Sequence, residues 1–113
     1  MIQEKEGTQV KLVKVTLKEG SKHLWFEWCE ELKKRREEVI ETLKNEWVLS
    51  ESCFLSEDEK CIYYFMEATS FEKAKEAVMK SIFPIDADHQ KIKKLCFEEK
   101  ISLKELFHFE NRN

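Results

Sequence analysis

Asp86-Ala87-Asp88-His89 is the densest polar cluster of the chain beside an apolar segment, Ile82-Phe83-Pro84-Ile85. Pro84 stops a preceding helix from running on, so the cluster lies where a new helix begins. An Asp and a His three residues apart at a helix start share one face. With a third carboxylate, Asp86 and His89 could hold a metal ion; alone, the carboxylate could orient the imidazole as a general base. The weightier reading is structural, with Asp86 capping the helix and His89 bonding that cap or a backbone carbonyl.

A second carboxylate, Glu51, sits between Ser50 and Ser52 in an otherwise apolar strand. If it is buried its pKa rises, and a cleft carboxylate of that kind can act on a ligand. The plainer reading is a strand-end Glu that reaches solvent or a Lys or Arg, and Glu67 shares that ambiguity. Tyr63 and Tyr64 point to opposite sides of their strand, so one hydroxyl can enter a pocket. Trp25 and Trp28 could form its apolar wall, although core packing is the commoner role for such a pair. His23 and His108 read as surface residues. No Gly-rich phosphate loop, nucleophile elbow or Cys-His pair at a recognisable spacing occurs. The expected site is therefore a small pocket between the long helix and the sheet. Glu51, Tyr64, His89 and Asp86 are its polar groups, Trp25 and Trp28 its wall, and no metal or cofactor is assigned to it.

The elements that must position these residues start from a hairpin. Trp47 to Leu55 and Cys61 to Ala68 are runs rich in aromatic and β-branched residues around the polar segment 56–60. Both look apolar on both faces, as central strands do. The loop has no Gly, so it should turn through αR and bridge conformations. Val10 to Lys18 alternates, as a half-buried strand does. Gly20-Ser21 then breaks the chain and caps one long helix over 22–45, whose charged run 30–38 is a solvated face. Thr69 and Glu72 suggest a capping box for a helix over 70–82. A third helix runs from Asp86 or Asp88 to about Glu99, and Leu103 to Glu110 reads as the closing strand. Residues 1–9 are an N-terminal flexible segment, 10–110 the single domain and 111–113 a polar tail.

Totals set the outer limits. At 113 residues, with 42% hydrophobic and only two Gly and one Pro, the chain is one globular domain rich in regular structure. A net charge of −3, with basic and acidic residues interleaved, argues against a nucleic-acid partner. No stretch approaches a membrane span and the start has no apolar leader, so no membrane partner is expected and the location is cytoplasmic. The four cysteines, Cys29, Cys53, Cys61 and Cys96, have no zinc spacing and read as reduced, mostly buried thiols. Cys53 and Cys61 could face each other across the hairpin in some registers.

The order β-α-β-β-α-(α)-β with right-handed crossovers is the ferredoxin-like plan, an α+β antiparallel sheet with helices on one face. The other face keeps apolar residues, which a partner should cover; self-association is the simplest way. At this point the chain resembles the dimeric α+β barrel superfamily. The residues that carry the likeness are Val13-Lys14-Val15-Thr16-Leu17-Lys18-Glu19-Gly20 before a long helix, and Tyr64-Phe65-Met66-Glu67-Ala68 as third strand. Asp86-x-x-His89 is similar to a small uncharacterised bacterial family of that fold. A distant similarity to the sugar mutarotase branch also exists. That branch has a helix His followed by an aromatic-Pro pair and a later tandem Trp. Here the helix reads His23-Leu24-Trp25-Phe26-Glu27-Trp28, without Pro, and no tandem Trp follows. The resemblance thus implies a fold and a homodimer, not mutarotation. The expected function is small-molecule binding or a cofactor-free reaction left undefined; the alternative is a non-catalytic dimeric interaction module. An RNA-binding domain ranks third, because the Lys/Arg-Gly-aromatic motif is missing. An open pocket with converging polar groups under the helices separates the first reading from the second.

Overall fold

The computed structural model describes residues 7–112. Its elements are β1 (Gln9–Leu17), α1 (Lys22–Lys34), α2 (Arg36–Asn45), β2 (Val48–Leu55), β3 (Cys61–Ala68), α3 (Phe71–Met79), α4 (Pro84–Cys96) and β4 (Phe97–Ser102). The strands form one antiparallel sheet in the order β2-β3-β1-β4. β1 and β2 flank β3, which splits the β-α-β unit, and this is the ferredoxin-like α+β fold. The hairpin is therefore half central: β3 is an inner strand, but β2 is an edge.

Pairing of β1 with β3 puts Val13 opposite Tyr64 and Val15 opposite Ile62. Those residues share the face under the helices, where Val15, Ile62, Trp25, Trp28, Ile85 and Cys96 form the main core. A smaller core, Val48, Ala68 and Ala74, lies toward α3 with Leu43, Met66 and Phe71 packed on it. Strand alternation sends Leu12, Tyr63, Phe65 and Phe54 to the opposite face, and Phe54 is 60% exposed there.

One irregularity decides what β2 offers to the helices. Val48 pairs with Ala68 but Ser50 pairs with Glu67, so Leu49 is an extra, bulged residue. A one-residue bulge reverses the phase of everything after it. Glu51 and Cys53 consequently face the helices with Met66 and Tyr64, and Ser50 and Ser52 face out.

The long helix is two. It breaks at Arg35, whose backbone leaves the helical region at φ −100°, ψ 36°. Residues 33–38 are six charged side chains in a row, so no apolar contact holds that turn to the core. Arg35 is held instead by Glu38 and by Asp88 of α4. Ser21 starts α1 without a side-chain cap bond; its hydroxyl donates back to the Lys18 carbonyl. Ser70, not Thr69, caps α3, accepting from the Lys73 N–H at 3.2 Å. α4 opens on Pro84 after Phe83, so neither Asp86 nor Asp88 is its cap.

The closing strand also lies elsewhere than the alternation over 103–110 suggests. α4 passes straight into β4, and Leu103 continues along β1 with one bond to the Leu12 carbonyl. The segment beyond has no regular structure, and Leu106, Phe107 and Phe109 are exposed. In the hairpin loop, Glu59 takes a left-handed φ of 61°, outside the expected αR and bridge turn. The Asp58 carboxylate secures the loop by accepting from the Ser56 hydroxyl and the Lys60 N–H. Of residues 1–9, residues 1–6 lie outside the described ones; Thr8 bonds Glu110, and Gln9 already opens β1.

All four cysteines are free thiols. Cys96 alone is buried, Cys29 and Cys61 are half-buried and Cys53 is exposed. Cys53 stands opposite Tyr64 and Cys61 opposite Thr16, so the two do not face each other across the hairpin. No helix among the described residues is long and apolar enough to cross a membrane.

Candidate functional site

Between the two cores the helices and the sheet do not close on each other. They leave a cavity of about 740 Å³, floored by Val13, Val15, Tyr64 and Met66 of the sheet. Val39 and Leu43 of α2 and Ala74 and Val78 of α3 form its apolar walls. Glu51, Tyr64, Asp86 and His89 all line it, together with Thr42, Glu46 and Lys93.

His89 is fixed from both ends. The Trp28 Nε1–H donates to His89 Nδ1 at 2.8 Å, and His89 Nε2 stands 3.3 Å from the Tyr64 hydroxyl. An indole N–H can only donate, so Nδ1 must be bare and the ring proton must sit on Nε2. That proton points to the Tyr64 oxygen, and the Tyr64 hydroxyl lies near enough to the Glu51 carboxylate to favour its charged form. Trp28, His89 and Tyr64 thus form a hydrogen-bonded chain, and Glu51 stands beside its Tyr64 end. Burial lowers the His89 pKa to about 4, with the Lys93 cation adding to the effect, so the ring is neutral at pH 7. Burial raises the Tyr64 pKa, reinforced by the charge of Glu51. It also raises that of Glu51, and the Tyr64 hydroxyl and Lys93 offset part of this. A carboxylate held out of water is a proton acceptor of increased basicity, and the neighbouring Tyr64 hydroxyl moderates that gain.

The cluster at the start of α4 divides. Asp88 turns outward to Arg35 at 3.0 Å. Asp86 turns inward, and its Oδ2 accepts from Thr42 Oγ1 at 2.6 Å and from the Ser81 hydroxyl. Asp86 and His89 are therefore not bonded to each other; each has its own partners, and both nitrogens of the imidazole are engaged. Trp25 and Trp28 stand behind the wall and not in it. Trp25 is 1% exposed and packs on Tyr64, His89 and Phe97. The walls they were expected to supply come from α2 and α3.

Glu67 faces the other side of the sheet, where it accepts from Thr8 and Ser50 and pairs with Arg112. With His108 and Glu110 it is the one group among the described residues whose ligand atoms converge closely enough for a metal ion. Arg112 already pairs with both carboxylates, and Thr8 donates its hydroxyl to Glu67 and its backbone N–H to Glu110.

Sequence reading missed Thr42, Glu46, Ser81 and Lys93. A signal existed for two of them: Thr42 and Glu46 are one helical turn apart and interrupt the apolar stripe of Val39 and Leu43. Burial, then the charge of Asp86, raises the Glu46 pKa to about 7. Burial lowers that of Lys93, with Lys100 adding and Glu51 opposing.

Residues 8–113 match the model of a family of unknown function, DUF6176. The chain belongs to that family. Among solved structures it is similar to the L-rhamnose mutarotase of Formosa agariphila, at 17% identity and a TM-score of 0.62, over 90% of this chain and 99% of that one. A dimeric ferredoxin-like protein from an uncultured marine organism matches at 16% identity and a TM-score of 0.58, over 92% and 95% of the two chains. The protein PA3566 of Pseudomonas aeruginosa matches at 10% identity and 0.56, over 93% and 100%. At these identities the likeness is one of fold. No curated protein sequence matches the chain.

Proposed function

We propose that this DUF6176 chain is a homodimeric protein that takes a small organic molecule into the cavity under its helices and acts on it without a cofactor. One observation carries the reading: a cavity of about 740 Å³ on which Glu51, Tyr64 and His89 converge, with His89 and Tyr64 hydrogen-bonded to each other and Glu51 beside them. A scaffold that served only as an interaction module would fill that space with side chains. Pockets that bury small ligands have this size and this mixture of apolar walls and few polar groups. The mutarotase among the structural neighbours acts on a sugar by its name, which favours a compact, oxygen-bearing ligand here as well. The homodimer is supported by the uncovered sheet face around Leu12, Tyr63, Phe65 and Phe54, and by the neighbour described as dimeric. A cytoplasmic setting suits the four free thiols.

Thermal-shift screening against a metabolite panel tests the cavity. A true ligand at a hundred times its dissociation constant stabilises by about 2.7 kcal/mol. Glu51→Gln and His89→Gln should fold and lose that response. A panel that leaves the wild-type melting unmoved would remove the small-molecule reading in favour of the interaction module.

A further inference from the structure

We propose that Glu46 is the proton donor of this cavity, paired with Glu51 as acceptor, and that the two tautomerise a small carbonyl compound bearing an acidic C–H beside the carbonyl. The proposal rests on the small-molecule reading above and assigns it a reaction.

Thr42 Oγ1 lies 2.6 Å from Asp86 Oδ2 and 3.1 Å from Glu46 Oε2, but it carries a single proton. The shorter contact takes that proton, and Asp86 receives a second one from Ser81. Asp86 is then satisfied as an acceptor. Two oxygens, on Thr42 and Glu46, are left facing each other with no hydrogen between them unless Glu46 brings its own. A protonated Glu46 donating to Thr42 resolves the contact. Every group facing it is accounted for: Asp86 and Lys93 from α4, and Glu51 from β2. Like charges within reach of one another cannot all stay ionised, and Glu46, only 6% exposed and with no ion-pair partner among the described residues, is the one that keeps its proton.

Glu51 differs in what opposes its burial: the Tyr64 hydroxyl at the end of the Trp28–His89 chain and then the Lys93 cation both favour its charged form. The cavity thus holds one carboxylic acid and one carboxylate in surroundings that separate their roles. Both line the same space. On a ketone or aldehyde between them, the Glu51 carboxylate takes the proton from the carbon beside the carbonyl. The C–H electron pair forms the carbon–carbon double bond, and the carbonyl π pair moves to oxygen, which takes the proton of Glu46. The reverse step returns a proton to carbon and restores both groups. Nothing is oxidised and no co-reactant is consumed. Val39, Leu43 and Met66 would hold the hydrocarbon body of such a substrate.

Cyclohexanone in D2O is a suitable probe, because enolisation exchanges its α-protons for deuterium and proton NMR reads their loss. Wild-type protein should speed that exchange at pH 6 to 7. Glu46→Gln and Glu51→Gln should each slow it by about a hundredfold or more, the contribution of a positioned proton-transfer group. Gln at position 46 can still donate to Thr42, so the fold should survive; melting of each variant checks this. The rate should fall as pH rises past the point where Glu46 ionises, and Asp86→Asn, which removes the neighbouring charge, should move that fall to lower pH. In the wild type, the carbon-13 signal of the Glu46 carboxyl should titrate near neutrality, a measurement that needs no variant. Exchange that depends on Glu51 but survives Glu46→Gln, or a Glu46 titration in the ordinary carboxylate range, would overturn the proposal and leave the small-molecule reading standing. Wild-type protein without exchange overturns it too, while the metabolite screen decides the broader reading separately.

Discussion

Glu46 and His89 bind protons in opposite senses within one cavity, and that makes their contributions to stability separable. Glu46 keeps its proton to about 7 against an ordinary 4.5, so between those values the folded chain holds a proton that the unfolded chain releases. Stability from that group is full below 4.5 and declines as pH rises to 7. His89 is the reverse: its pKa of about 4 against an ordinary 6.5 means the unfolded chain binds the extra proton in that window. Its contribution is present above 6.5 and lost as pH falls through 4. In the wild type the two slopes oppose each other from 4.5 to 6.5, which flattens the profile. Denaturant unfolding at a series of pH values should therefore show Glu46→Gln gaining on the wild type as pH rises from 4.5 to 7. His89→Gln should lose its disadvantage as pH falls from 6.5 to 4. Each difference should change by at most about 1.4 kcal/mol per pH unit, the value for one proton. Parallel profiles for wild type and both variants would mean that neither group is perturbed by burial.

Among the elements, β2 and α3 show how local detail fixes what a segment presents. The bulge at Leu49 gives the strand its working phase, because without it Ser50 and Ser52 would face the cavity in place of Glu51 and Cys53. The start of α3 shows the same dependence at a helix end. Thr69 and Glu72 have the spacing of a capping box, yet Thr69 N–H is bonded to the Trp47 carbonyl at the far end of the hairpin. That tie carries Thr69 with the sheet and leaves Ser70, with extended φ −158° and ψ 119°, at the cap position. Ser70→Ala should cost about 0.5–2 kcal/mol of stability and Thr69→Ala clearly less, by thermal or denaturant unfolding. The opposite order would return the cap to Thr69.

For the whole molecule, the outer face of the sheet is the reason to expect a dimer. The helices cover one of its faces, and Leu12, Tyr63, Phe65, Phe54 and Ile101 lie on the other. Burying that face against a second copy would remove a patch that soluble monomers rarely expose. Sedimentation at micromolar concentration should show a species of twice 13.6 kDa. The shared surface of a specific dimer should exceed about 1,200 Å² in total. Phe54→Lys and Phe65→Lys should each shift the equilibrium to the single chain, with helix content intact by circular dichroism. A wild type that sediments only as the single chain would rule the dimer out.

The alternation of Val13, Val15 and Leu17, the hairpin around 56–60 and the apolar stripes of the helices were legible in the sequence, because local periodicity records which side of an element is buried. That was enough for the order of elements and the ferredoxin-like plan. It also marked Glu51, Tyr64, Asp86 and His89 as candidates, since polar residues embedded in apolar surroundings stand out in one dimension, and all four line the cavity. What those residues do to one another was not legible. The bulge that turns Glu51 inward depends on pairing with β3. The tautomer of His89 depends on an indole 61 positions away. Asp86 reads as a helix cap until Thr42, 44 positions earlier, is seen to donate to it. β4 lies at 97–102 because the edge of β1 was free there, although the stronger alternation follows it. Proton positions and strand phase follow from contacts between distant segments, and only the tertiary structure brings those segments together.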